Sequence, residues 1–148
     1  MPSIFDPSVS SSLDRRLRSL SSSTPRLWGK MTAHQMVCHV GDQMRCALGD
    51  IQTKPRKNIL ANAALRFVLV HLLPWPKGKL PTVPEMQSTQ PGEWDADLAA
   101  TAELIRRASS RGPDAEWAVH PVFGPLRGSE WGRLIFKHMD HHLRQFGV

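Results

Sequence analysis

The residues best equipped for chemistry lie near the end of the chain. The stretch HMDHHLRQ runs from His138 to Gln145 and places three of the protein's seven histidines within five residues. Imidazole is the commonest metal ligand and the usual proton carrier near neutral pH. Such a cluster suits metal binding, general acid–base work or a surface patch. Helical spacing separates its members. At about 100° per residue, Trp131, Leu134, Ile135, His138, Met139, His142, Gln145 and Phe146 fall on one face. Arg133, Lys137, Asp140 and Arg144 fall on the other. His138 and His142 therefore sit in the middle of an apolar stripe and His141 at its margin, while Phe136 and Leu143 break the pattern. An i, i+4 pair places two imidazoles one turn apart on one face, as in the helical HExxH motif. Burying both without partners is costly. A third group must satisfy them: a metal ion, a carboxylate or trapped water.

The remaining histidines are less pointed. His39 lies on the flank of a Met36/Val40 stripe, in a sector with Gln35, Gln43 and Cys46 that is placed to line a pocket. His34 points elsewhere on the same helix and is expected to be exposed. His71 is expected to have no chemical role. His120 precedes a proline in a loop, where a hydrogen-bonded structural role is at least as good a reading as a site role. Cys46, two turns from His39, is expected to be a small buried filler rather than a ligand.

Four main helices would position these residues. Asp6-Pro7 starts the first, which runs to about Ser21 on Val9, Leu13, Leu17 and Leu20. Thr32 to Gln35 fits a capping box and opens the second, Ala33–Leu48, stopped at Gly49. Asp95–Arg111 reads as the third, on Leu98, Ala102, Ile105 and Ala108. Ser129 is the expected cap of the fourth, from about Glu130 to Phe146. Between the second and third lies a proline-rich connection that includes LLPWPKGKLPTVPEM. Its segment from Asn58 to Leu73 suits an extra helix. A connection this long can cross from one end of a bundle to the other. No segment shows strand alternation. The expected fold is all-α, a four-helix bundle with a long crossover between helices 2 and 3, in one domain spanning residues 1–148.

Composition narrows the function. The 148 residues are 41% hydrophobic and 22% charged, which are globular values. The apolar stretch ALRFVLVHLL is too short to span a bilayer and holds Arg66 and His71. The formal charge is +6, but the basic residues are scattered and accompany no nucleic-acid reader motif. Cys38 and Cys46 lie eight apart in one helix, about 12 Å, too far for a disulfide. Free thiols and no signal peptide at the N-terminus make a cytoplasmic location the expectation.

The blocks RLWGKMTAHQMVCHVGD and HPVFGPLRGSEWGRLIFKHMDHHLRQFGV, with the intervening PWPKG, resemble the DinB/YfiT-like superfamily, in a branch whose own function is uncharacterised. The resemblance covers essentially the whole chain and is most specific in the C-terminal block. It implies a four-helix bundle with the crossover already expected. It also implies a divalent metal held by three histidines. The first belongs to a pattern ending His-apolar-small-Asp, here His39 to Asp42. The others belong to H-x-x-H-H-x-x-Q, here His138, His141, His142 and Gln145, with the i, i+4 pair as ligands. The implied metal set is therefore His39, His138 and His142. Asp42, His141 and Gln145 are implied candidates for orienting imidazoles or bridging to water. Zn, Ni, Fe and Mn all suit such ligands.

Characterised relatives include transferases that use low-molecular-weight thiols such as bacillithiol or mycothiol, and a thiol-dependent isomerase. The implied function is a metal-dependent transferase acting on a small-molecule substrate, with a thiol as co-substrate. The alternatives are a metal- or ligand-binding stress-response module without turnover, and a histidine-lined core satisfied by hydrogen bonds alone. A homodimer is compatible with the Met- and Leu-rich faces. No specific nucleic acid and no membrane is expected as a partner.

Overall fold

A computed structural model of the chain describes residues 1–56, 60, 62–72 and 83–148. Among them are the α-helices α1 (Pro7–Arg18), α2 (Ala33–Leu48), α3 (Ala63–Phe67), α4 (Trp94–Arg111) and α5 (Gly128–Gln145). A π-helical turn, Val68–Leu72, continues α3, and a 3-10 turn, Pro84–Gln87, precedes α4. No strand occurs among the described residues, where one isolated bridge joins His120 to Gly124. The chain is an all-α bundle. Among the described residues α1, α2, α4 and α5 are the long helices, and α3 is a short one inside the crossover, within the Asn58–Leu73 segment expected to suit an extra helix. The PWPKG segment lies outside the described residues.

Local chemistry explains the boundaries. Asp6 accepts from Ser8 N at 2.8 Å, with Pro7 in the first helical position. Thr32 and Gln35 form both arms of the capping box on α2, and Gly49 ends it at φ 86°, a conformation that favours glycine. At α5 the expected cap is displaced. Arg127 occupies the cap position and Ser129 lies within the first turn, because Glu130 reaches back to accept from Arg127 N at 2.8 Å.

The helices surround one core. α1 packs on α4 and α5, and α2 packs on the same two helices. Along the α2/α4 seam, His34 meets Asp97, Gly41 faces Thr101 and Asp50 meets Arg107. These pairings ascend together, so α2 and α4 run in the same direction. Ile4 with Gly132 and Arg16 with Asp140 show the same for α1 and α5. A parallel neighbour cannot be reached by a tight turn, which is why residues 49–93 must bring the chain back along the bundle.

Leu13, Leu17, Met36, Met44, Trp131, Leu134, Ile135 and Met139 are wholly buried. Leu143, off the predicted stripe, is buried too, and Phe136 packs against the core. The π turn also packs on α5. It turns part of the expected polar face inward: Lys137 Nζ donates to Leu69 O at 2.5 Å, and Arg133 contacts His71.

Candidate metal centre

Facing positions on α2 and α5 bring His39, His138 and His142 together. Their ligand nitrogens all lie within 4.8 Å of one another. His39 Nε2 and His138 Nε2 stand 2.9 Å apart. Ring centroids are separated by 4.7 Å for His39–His138, 4.8 Å for His39–His142 and 4.6 Å for His138–His142, with each pair edge-on. A Zn–N bond is about 2.0–2.1 Å, so two nitrogens sharing one ion stand roughly 3–4 Å apart. The cluster has that scale.

Hydrogen bonds select the tautomers. His39 Nδ1 donates to the Met86 carbonyl at 2.6 Å. Its Nε2 is therefore left with a lone pair. His142 Nδ1 lies 2.9 Å from Gln145 Oε1, while Gln145 Nε2 donates to the Trp28 carbonyl at 2.8 Å. The Trp28 bond decides which end of the amide faces His142, so Nδ1 is the donor and Nε2 again carries the lone pair. The 2.9 Å contact between His39 and His138 thus joins a lone pair to a ring nitrogen that either donates a proton or shares a cation.

Electrostatics hold all three rings neutral, the form that ligates. Burial lowers the pKa of His39, against a weaker opposing effect of its bond to Met86. Burial, and then the neighbouring His142 and His39, push His138 well below the ordinary value. Burial and then His39 bring His142 down to about 3.

A strap formed by residues 83–91 supports His39. Asp42, wholly buried, accepts from Thr89 N at 2.8 Å, Thr89 Oγ1 at 2.6 Å, Ser88 Oγ at 3.2 Å and Arg45 Nη1 at 2.9 Å. It touches none of the three imidazoles by hydrogen bond. It instead anchors the segment whose Met86 carbonyl orients His39. A cavity of about 360 Å³ lies between the strap and the 30–35 region, lined by Lys30, Gln35, His39, Gln87 and Gln90 among others. The flank sector expected from the sequence is therefore open at Gln35, whereas Gln43 is buried.

The other candidates separate clearly. Gln145 positions His142 directly. His141 is a buttress: its ring stands edge-on to Trp28 at 4.7 Å and to His142 at 5.2 Å. Cys46 is a buried filler against Val83 and Met86, and burial pushes its thiol up to about 12. His120 is buried, and its Nδ1 accepts from Val122 N at 3.0 Å and Phe123 N at 3.1 Å, a structural role. His71 stacks on Phe67. His34 is not exposed as expected: it pairs with Asp97 of α4 at 2.7 Å, a neighbour that no single-helix wheel contains. The Met86 and Trp28 carbonyls were not foreseen. Backbone oxygens have no side-chain signature, although Trp28 and Gly29 fall within the RLWG block.

The chain belongs to the DUF1569 family, described as proteins of unknown function, whose model matches residues 11–147. No curated protein and no solved structure matches the chain.

Proposed function

We propose that this chain is a divalent-metal-dependent enzyme of DinB/YfiT-like type, with His39, His138 and His142 as ligands and transfer of a low-molecular-weight thiol to an electrophile as its reaction. The observation that carries the reading is the convergence of three neutral imidazoles, two with the tautomer set by bonds from the far side of the ring. A core needing only to satisfy its histidines has no reason to aim lone pairs at one point. An ion bound there would act as a Lewis acid, making hydroxide or thiolate available near neutral pH at a position the protein leaves open. The chain's own contributions are distinct. Met86 and Gln145 orient His39 and His142, Asp42 holds the strap, and the cavity beside His39 admits a small substrate. The two free cysteines suit the reducing cytoplasm. No helix among the described residues is long and apolar enough to cross a membrane.

Metal analysis of untagged protein tests the centre. Stoichiometric metal is expected in the parent and its loss in His138→Ala and His142→Ala; no metal in the parent, with stability unchanged in both variants, refutes it. Thiol consumption across a panel of electrophiles and bacterial thiols tests the reaction. A metal-loaded protein with no turnover across that panel favours the binding module instead.

A further inference from the structure

We propose that His34, Cys38 and Asp97 form a second metal site, distinct from the tri-histidine centre and suited to a thiophilic divalent ion such as Zn²⁺. His34 and Cys38 share the i, i+4 spacing that unites His138 and His142, but on α2. Asp97 comes from the first turn of α4. The three ligand atoms lie within 4.8 Å of one another. His34 Nε2 lies 2.7 Å from Asp97 Oδ2, and Cys38 Sγ lies 3.8 Å from the same oxygen. Gly92 N donates to that oxygen at 2.8 Å, and Trp94 stands edge-on to the His34 ring at 5.3 Å. Carboxylate and imidazole are thus both held in place from outside the cluster. The His34 and Asp97 side chains keep 16% and 23% of their surface exposed, which gives an ion a route in and leaves room for water as a fourth ligand.

The two clusters lie on different faces of α2. Cys38 and His39 are consecutive, so their side chains leave the helix about 100° apart. His39 turns to α5, and Cys38 and His34 turn to α4. Their chemistry also differs. Three imidazoles leave the charge of a divalent ion uncompensated, whereas a thiolate and a carboxylate neutralise it. The sulfur selects zinc-like ions over Mg or Mn. An ion here would add a coordinate tie between α2 and α4, which already pack side by side, and would stabilise the fold by mass action.

Cobalt(II) titration of the metal-stripped, untagged full chain tests this. Two equivalents are expected in the parent, with a thiolate-to-cobalt charge-transfer band. That band should persist in His138→Ala and vanish, with one equivalent, in Cys38→Ser. Asp97→Asn should also lose that equivalent, which covers the case that Cys38→Ser does not fold. A parent with no thiolate band, or a band retained in Cys38→Ser, overturns the second site. A parent taking one equivalent without that band, lost in His138→Ala, overturns it while leaving the tri-histidine centre standing.

Discussion

Replacing Gln145 by methionine, close to it in volume, tests whether the support of His142 matters to metal binding. Gln145 is 3% exposed, and its amide bridges two partly buried groups: the oxygen accepts from His142 Nδ1 at 2.9 Å and the nitrogen donates to Trp28 O at 2.8 Å. Methionine removes both bonds. A lost bond costs about 1 kcal/mol where water can reach the partner and up to about 3 kcal/mol where it cannot; with both partners partly buried, the apo protein should lose about 2–4 kcal/mol in urea unfolding. Metal affinity should fall about 10- to 100-fold, because the His142 proton is then free to move to Nε2 and occupy the ligating lone pair. Competition with a chromophoric chelator measures this directly. Gln145→Glu is the discriminating control. Its carboxylate still accepts from His142 Nδ1 but cannot donate to Trp28 O, so stability should fall while affinity stays near that of the parent. Parent-like affinity in Gln145→Met, or equal losses in the two variants, would refute the reasoning.

Acid should destabilise the apo protein. His120 and His142 are held down at about 3 by burial, against about 6.5 in the unfolded chain, so the unfolded state takes up protons first. Their contribution is complete above about pH 6.5 and is lost as pH falls towards 3. At pH 5 the loss is about 2 kcal/mol for each, or about 4 kcal/mol together. A flat melting temperature between pH 7 and 5 would contradict this. Asp42→Ala should cost about 2–4 kcal/mol by stranding Thr89 N and Arg45, and should also weaken metal binding by loosening Met86; chelator competition would detect unchanged affinity, the adverse result. Gly29→Ala should resemble Gln145→Met, since φ is 82° there and a Cβ would stand 2.3 Å from Gln145 Nε2. The clash with Gln145 is shared between the two variants while the backbone strain at Gly29 is not, so the double variant should lose less than the sum of the singles, and strict additivity in urea unfolding would argue against a shared cause.

The limits of sequence reading are visible residue by residue. α2 begins and ends as expected because its signals are local: a capping box at Thr32 and Gln35, and a glycine at 49. The α5 wheel placed Trp131, Leu134, Ile135 and Met139 inside and separated His141 from its neighbours for the same reason. It failed at Leu143, because α1, α2 and the π turn all pack on α5 and widen its buried arc. It failed at Ser129, because a side chain three residues on decided the cap. Asp42 was expected beside the imidazoles, whereas its hydrogen bonds go to Thr89, Ser88 and Arg45, partners that no local spacing in the sequence names.

Periodicity in the sequence determined that His138 and His142 share a face, since 3.6 residues per turn is a property of the helix and needs no partner. Capping chemistry likewise determined where α2 starts. What periodicity could not determine is what stands opposite that face. His39 lies 99 residues from His138 in the chain, and only the packing of α2 on α5 brings their rings to 4.7 Å. Packing alone also sets which nitrogen of the His39 and His142 rings carries the proton, because Met86, Trp28 and Gln145 act through distances that depend on three separate segments. The same holds for His34, Cys38 and Asp97. Residue types and local spacing are inherited from the chain, but the convergence of donors on a point is a property of the folded bundle.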